Sequence, residues 1–326
     1  MVIIDGAEAS DYESCENIKK IKEIGSFGQI NNTPEGMETS SLTCIMNILG
    51  VPKKNIPYGR AYLEALSINI KIENTDLIFR CNNISIKDDK LVSSCENHNN
   101  EVIHLDNNHF KLINMGSYKN LLVIKDGEKY IDSIITYPPH ENIGKPIKDI
   151  LPKCKNRDIE KMLQNLIFNY NLYPWGQSAK EYVPRFYDIH NKKGAIVCKT
   201  EIVKGIGAAM DMYCPTIAEA TADIDTNLIE KAKKTLELSS KYDFVLLHIN
   251  GADESAHRRN YEEKISFIQK IDKEVIEYLY KNVKKDTALI ITSDHGTSPK
   301  SGKHINGFVN YYIFNKNEEV RLWLKQ

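Results

Sequence analysis

The stretch Phe244-Val-Leu-Leu-His-Ile249, followed by Asn-Gly-Ala-Asp253-Glu-Ser-Ala-His257, joins a mostly apolar run to a carboxylate and an imidazole spaced i,i+4. A short run with no polar alternation reads as a strand buried on both faces, the habit of parallel sheets. Three more runs share this character: Val2–Ile4, Gly194–Val197 and Ala288–Thr292. Helical patterns lie beside them. Asp223 to Ser240 carries Leu228, Ile229, Ala232, Leu236 and Leu238, and Arg259 to Val283 carries Ile265, Ile268, Ile271, Val275, Ile276 and Leu279. Buried strands alternating with amphipathic helices predict an α/β core, a parallel-rich sheet flanked by helices.

The middle of the chain has a different rhythm. Short alternating runs (Ser67–Ile72, Leu77–Arg80, Ile84–Ile86, His109–Ile113, Lys119–Ile124) are punctuated by Asn, Asp and Gly, as in antiparallel sheets. Pro138 and Pro139 close this region, and a helical pattern follows from Asp158 to Tyr170. The expected organisation is therefore a core of residues 1–65 and 166–326, interrupted by an inserted α+β domain at 66–165.

Composition narrows the function classes. The 326 residues are 41% hydrophobic and 27% charged, enough for a core that needs no staple. Lys plus Arg is 43 against 44 for Asp plus Glu, so the chain lacks the basic surplus of a nucleic-acid coat. No apolar stretch approaches the ~18 residues of a membrane span. The first residues, Met-Val-Ile-Ile-Asp, do not look like a signal peptide. The seven cysteines (15, 44, 81, 95, 154, 198, 214) form no CxxC pair and are expected to be reduced thiols of a cytoplasmic protein. Nothing here sets an oligomeric state.

Functional side chains gather at the carboxyl ends of strands in such sheets. Asp5 follows the first run and precedes Gly6. Asp253 and His257 follow the third, on one face if the segment is helical. Asp294 and His295 follow the fourth, and His304 lies beyond a Ser-Pro-Lys-Ser-Gly-Lys loop. Carboxylate oxygens and imidazole nitrogens in this number suit divalent cations. Ser40-Ser-Leu-Thr-Cys-Ile-Met-Asn-Ile-Leu49 predicts a helix that starts on two serines and stops at Gly50, and a hydroxyl there feels the positive helix end. Either serine could instead only cap the helix.

Taken in order, these residues resemble the ligand set of the alkaline phosphatase superfamily, and longer motifs resemble the archaeal-type, cofactor-independent phosphoglycerate mutases within it. Gly36 to Pro52, continuing through Tyr58-Gly-Arg-Ala-Tyr-Leu-Glu-Ala, is similar to that family's GMPPGSDTANLSVMGYDP…YYTGRxPLEA. Asp76-Leu-Ile-Phe-Arg-Cys-Asn is similar to DVAFRCN, and Pro138-Pro-His-Glu-Asn-Ile-Gly-Lys-Pro-Ile to PPHDITGKPI. Trp175-Gly-Gln, Ile202-Val-Lys-Gly-Ile-Gly and His248-Ile-Asn-Gly-Ala-Asp-Glu-Ser-Ala-His resemble WGQG, LIKGIG and HIxAxDEAGH.

The resemblance implies an alkaline-phosphatase-like fold and places the nucleophile on Ser41. It implies two divalent metal ions (Mn, Zn, Mg or Co). One would be held by Asp253, His257 and His304, the other by Asp5, Ser41, Asp294 and His295. Substrate contacts would fall on Arg60, Arg80, Lys119, His140 and Lys204, some of them in an insertion that shuts out water. The implied reaction interconverts 3- and 2-phosphoglycerate through a phosphoserine, with a small phosphorylated acid as the only partner. The alternatives are a related phosphohydrolase or phosphonate-processing enzyme, and a binding protein without turnover. The chain departs from the family in several places. Leu42 replaces the acidic residue after the nucleophile, Ile45 replaces an Asn or His, and Lys119 stands where the family has arginine. The N-terminal loop is about ten residues shorter, and Ser94-Cys-Glu-Asn-His98 replaces a segment of the DRRAGRI kind. Lysine cannot make the bidentate fork that arginine makes with phosphate.

Overall fold

The structure, a computed structural model, describes residues 1–96 and 109–317. Two compact units are present: Met1–Ile56 with Val183–Gln326, and Pro57–Tyr182.

The first unit is built on a six-stranded sheet in the order Ser26–Ile30, Val309–Asn315, Ala288–Thr292, Val2–Ile4, Phe244–Ile249, Gly194–Val197. The four mostly apolar runs are the four mutually parallel strands, with registers Ile3↔His248, Val2↔Ile291 and Val197↔Leu247. Both faces of this part are covered, so Val2, Ile3, Ile4, Ile196, Leu246, Leu247 and Ile291 are fully buried. On one face Val2, Ile4, Leu247, Ile249 and Ile291 pack with Ile18 and Ile21 of Glu16–Ile24 and with Ile268 and Ile271 of Tyr261–Ile271. Burying each such side chain is worth roughly 1.5–3 kcal/mol. The remaining two strands are antiparallel additions at one edge.

Helices sit close to where their periodicity puts them. Leu228–Leu238 fills the first pattern. The second is broken: Tyr261–Ile271 and Glu277–Asn282 are joined by one π-helical turn, Asp272–Ile276. There the buried Asp272 carboxylate turns inward and accepts hydrogen bonds from the backbone N–H groups of Asn17 and Ile18, capping the start of Glu16–Ile24.

The second unit is an antiparallel sheet, Phe110–Gly116, Lys119–Ile124, Leu77–Asn83, Leu172–Ala179, backed by the helix Arg157–Tyr170. Leu77, Phe79, Cys81, Leu122, Leu163, Leu166 and Leu172 form its core. The insertion is wider than the 66–165 read from sequence. Leu172–Ala179 pairs along Leu77–Asn83, and the helix Ala61–Ser67 packs on that same strand, so both ends belong to the inserted unit. The alternation at Ser67–Ile72 is not a strand. The helix ends at Ser67, Asn69 takes φ +58°, and Ile70 N–H returns to Ala65 O at 3.0 Å, a helix C-cap. Of the altered segment, Ser94, Cys95 and Glu96 are described; Asn97 and His98 lie outside the described residues.

Candidate active site

Asp5 leaves the central strand with its N–H bonded to Ile249 O at 3.0 Å. The turn that follows demands glycine twice over. Gly6 has φ +73°, and a β-carbon there would lie 2.8 Å from Asp253 Cα, so a larger residue would push the first and third ligand loops apart.

Two ligand groups converge here. Asp253 and His257 lie one turn apart on the helix Gly251–His257, and their facing atoms are 3.2 Å apart. His304, from the strand Lys303–Ile305, brings its Nε2 to 3.2 Å from His257 Nε2 and 3.8 Å from Asp253 Oδ1. Each imidazole donates Nδ1–H to a backbone carbonyl, His257 to Gly302 O (2.9 Å) and His304 to Thr39 O (3.0 Å). A carbonyl can only accept, so both rings can turn an Nε2 lone pair to a common point, the arrangement of metal-binding histidines. The second group is Asp5, Asp294 and His295, all buried, with His295 Nε2 at 3.7 Å from Asp5 Oδ1 and 3.4 Å from Asp294 Oδ2.

The electrostatics of these groups fit cations. Asp5 Oδ1 and both Asp294 carboxylate oxygens are buried and have no hydrogen-bond donor. Burial first, then the neighbouring charges of Asp294 and Asp253, push the Asp5 carboxyl well above its usual range. Burial also pushes Asp253 up, but the hydrogen bond from His257 and the charges of His257, His295 and His304 outweigh it and hold Asp253 low. The same bond raises His257 to about 9. Three clustered carboxylates, two of them with bare oxygens, and three imidazoles with converging nitrogens are what divalent cations neutralise and ligate.

The two serines at the helix start divide the work. Ser40 is the cap: its Oγ accepts from Thr43 N–H at 3.3 Å, while Thr43 Oγ1 accepts from Ser40 N–H at 3.2 Å. Ser41 begins the helix Ser41–Ile48 with its hydroxyl released for other use. Its Oγ donates to Asp5 Oδ2 at 3.4 Å and lies 3.3 Å from His295 Nε2. Leu42 and Ile45 face inward and are buried, so the departures from the family motif serve packing.

Three supporting residues were not singled out in sequence. His248, opposite Ile3 on the neighbouring strand, brings Nε2 to 3.0 Å from Asp5 Oδ2; burial lowers it to about 4 and keeps it neutral. Asn32 donates to Ser293 O (2.9 Å) and Asp294 O (3.2 Å), holding the turn that carries Asp294 and His295. Thr297 Oγ1 donates to Asp253 Oδ1 at 2.5 Å and lies 3.4 Å from His295 Nδ1, so one hydroxyl bridges the two ligand groups. Only the first had a sequence signal, as the opening residue of a quoted motif; the others act through folding-dependent contacts. Thr297→Val keeps the shape and removes the bridge. We expect it to weaken Mn²⁺ binding about 10–100-fold in calorimetric titration; an unchanged affinity would remove Thr297 from the site.

The expected substrate residues are placed as follows. In the inserted unit, Arg80 Nε donates to Glu64 Oε2 at 3.0 Å and its guanidinium lies over Trp175, 4.2 Å from the ring centroid. Arg60 Nε is 3.8 Å from Glu64 Oε1, and His140 meets Trp175 edge-on at 5.3 Å. Arg60, Arg80 and His140 thus gather around Glu64 and Trp175. Lys119 begins the adjacent strand opposite Asn82, its ammonium 6.0 Å from the Tyr118 ring centroid. Lys204 belongs to the other unit, on the helix Glu201–Ala209, which packs on the helix of Ser41.

Residues 4–324 match the family model described as the metalloenzyme superfamily. A 2,3-bisphosphoglycerate-independent phosphoglycerate mutase of Methanothrix thermoacetophila is 29% identical over 91% of this chain and 82% of its own. One from Methanocaldococcus jannaschii is 27% identical over 92% and 82%. Among solved structures, a Pyrococcus horikoshii protein aligns with TM-score 0.74 at 23% identity, covering 96% of this chain and 86% of that one. The cofactor-independent phosphoglycerate mutase of Thermoplasma acidophilum aligns with TM-score 0.60 at 20% identity, covering 97% and 89%. These two likenesses establish the fold. With the model match spanning nearly all of its length, the chain belongs to the metalloenzyme superfamily.

Proposed function

We propose that the protein is a metal-dependent phosphoglycerate mutase that interconverts 3- and 2-phosphoglycerate through a phosphoserine on Ser41. The observation that carries this reading is a helix-initial serine hydroxyl, released from capping by Ser40, whose oxygen touches Asp5 and His295 of a paired ligand cluster. Asp253, His257 and His304 would hold one divalent cation, and Asp5, Asp294 and His295, with Ser41, the other. Bound there, the ions supply positive charge that acidifies the serine hydroxyl and neutralises phosphoryl oxygens. Mn, Zn, Mg and Co all suit these donors.

The chain's own residues supply the rest. Ser41 passes its proton to Asp5 Oδ2 and its oxygen bonds to phosphorus as the bond to the substrate 3-oxygen breaks, that oxygen leaving as a hydroxyl with the proton that Asp5 returns. Ser41 opens the helix Ser41–Ile48, whose positive end favours an anion carried there. The 2-hydroxyl of the retained glycerate then attacks the phosphoserine and restores Ser41. Substrate contacts are proposed for Arg60, Arg80, Lys119 and His140 within the inserted unit, and for Lys204 within the other unit. Among the described residues no helix is long and apolar enough to cross a membrane, and cytoplasmic residence is part of the same proposal.

The test is a single assay of metal-loaded protein with 3-phosphoglycerate, following 2-phosphoglycerate and free phosphate together. Isomer without phosphate is expected. Phosphate without isomer would overturn the mutase reading in favour of a hydrolase on the same nucleophile.

A further inference from the structure

Outside the ligand cluster, two thiols lie against each other. Cys198 follows the strand Gly194–Val197 and is buried; Cys214 is half-buried; their sulfurs are 3.7 Å apart. The pairing is built into the backbone. Tyr213 N–H bonds to Gly194 O (3.1 Å) and Ile196 N–H to Tyr213 O (2.8 Å), fixing the residue before Cys214 beside the strand that ends at Cys198. The segment between the cysteines contains the helix Glu201–Ala209, with Lys204 on it. Nothing in the proposed reaction uses either sulfur.

We infer that Cys198 and Cys214 form a redox-active dithiol that a hydroperoxide closes to a reversible disulfide across the ends of the helix carrying Lys204. A disulfide needs sulfurs about 2.05 Å apart, so closure requires the 3.7 Å gap to shorten, with the half-buried Cys214 the side chain that moves. Cys214 is the attacking group. It is the more exposed of the two sulfurs and so the one a hydroperoxide reaches, and the hydrogen bond shared with Cys198 and the Lys204 ammonium favour its thiolate against the opposing effect of burial. The Cys214 thiolate attacks the outer hydroperoxide oxygen. The O–O bond breaks, the alkoxide (or hydroxide) leaves and takes a proton, and a sulfenic acid forms at Cys214. Cys198 sulfur then attacks that sulfur, the S–O bond breaks, and the hydroxide leaves as water with the Cys198 proton. Two thiols lose two electrons in total and one hydroperoxide becomes one alcohol and one water.

The test uses the full chain and hydrogen peroxide. Intact mass is expected to fall by two hydrogens, peptide mapping to join residue 198 to residue 214, and dithiothreitol to reverse both. Cys198→Ser should instead leave a sulfenic acid at Cys214 that dimedone captures, while Cys214→Ser should give neither bridge nor adduct at Cys198. Lys204→Met should slow closure about tenfold at neutral pH, because less thiolate is present. The bridge should also raise the melting temperature by a few degrees by tying the two ends of one helix. An unchanged mass, or a bridge between other cysteines while 198 and 214 stay reduced, would overturn the inference.

Discussion

Ser41→Ala should leave a folded, metal-binding protein whose turnover falls about 10⁴-fold or more. The effect is large because, in the proposed mechanism, the serine oxygen is the atom that bonds to phosphorus. Ser40 Oγ, the nearest in sequence, is committed to Thr43 N–H. Stability should change by less than about 0.5 kcal/mol, since the cap is untouched. Ser40→Ala reverses the pattern: it should cost about 1 kcal/mol through the lost cap while the nucleophile survives. Intact-mass analysis of wild type incubated with 3-phosphoglycerate should show one phosphoryl adduct that maps to Ser41 and is absent in Ser41→Ala. A phosphorylated Ser41→Ala protein would show that another residue is the nucleophile.

Asp253→Asn should be the most damaging change in the ligand set. Its carboxylate is met at once by His257, by His304 and by the Thr297 hydroxyl. The amide keeps the shape but removes the charge that two imidazoles and a cation share. Activity is expected to fall about 10³-fold or more, as for loss of a principal electrostatic element. The same variant should lose the thermal stabilisation that metal gives wild type, about 2.7 kcal/mol at a metal concentration of 100 Kd. Melting curves with Mn²⁺ and with a chelator make the comparison; a shift equal to wild type would place the ion elsewhere. Linkage fixes the pH dependence. Metal needs neutral His257, and in the ion-free chain the Asp253 hydrogen bond raises His257 to about 9. Below that value metal must displace a proton, so apparent affinity rises with pH and levels off above about 9. Chelated protein should keep its helical circular dichroism, because the apolar core closes without the ions.

Lys231 marks the limit of what charge alone explains. It is almost wholly buried, and its Nζ donates to Thr221 O at 3.2 Å. Burial lowers it to about 8, close enough to neutrality that the cost of a buried cation is modest. Lys264, buried as deeply, lies instead 2.7 Å from Asp11 and donates to Thr297 O, tying the first ligand loop to the last.

The amino-acid sequence by itself determined the elements that depend on local pattern. Four short, mostly apolar runs without polar alternation were best satisfied as strands covered on both faces, and they are the four parallel strands of the sheet. Asp253 and His257 at i,i+4 had to share a helix face, and Gly50, at φ +77°, had to end the helix that Ser40 begins. Tertiary structure decided whatever depends on partners distant in sequence. The edge strand Ser26–Ile30 carries no clear alternation and exists because Val309–Asn315 pairs with it. Leu172–Ala179 looked like part of the core until its pairing with Leu77–Asn83 placed it in the insertion. Which serine caps and which is free, which hydroxyl bridges the ligand groups, and which two of seven scattered thiols touch are likewise set by packing. A local pattern constrains a residue's own backbone and face, whereas the meeting of Thr297 with Asp253 is fixed only when the strand Ala288–Thr292 takes its place in the sheet, and that of Cys198 with Cys214 only when Tyr213 pairs beside the strand Gly194–Val197.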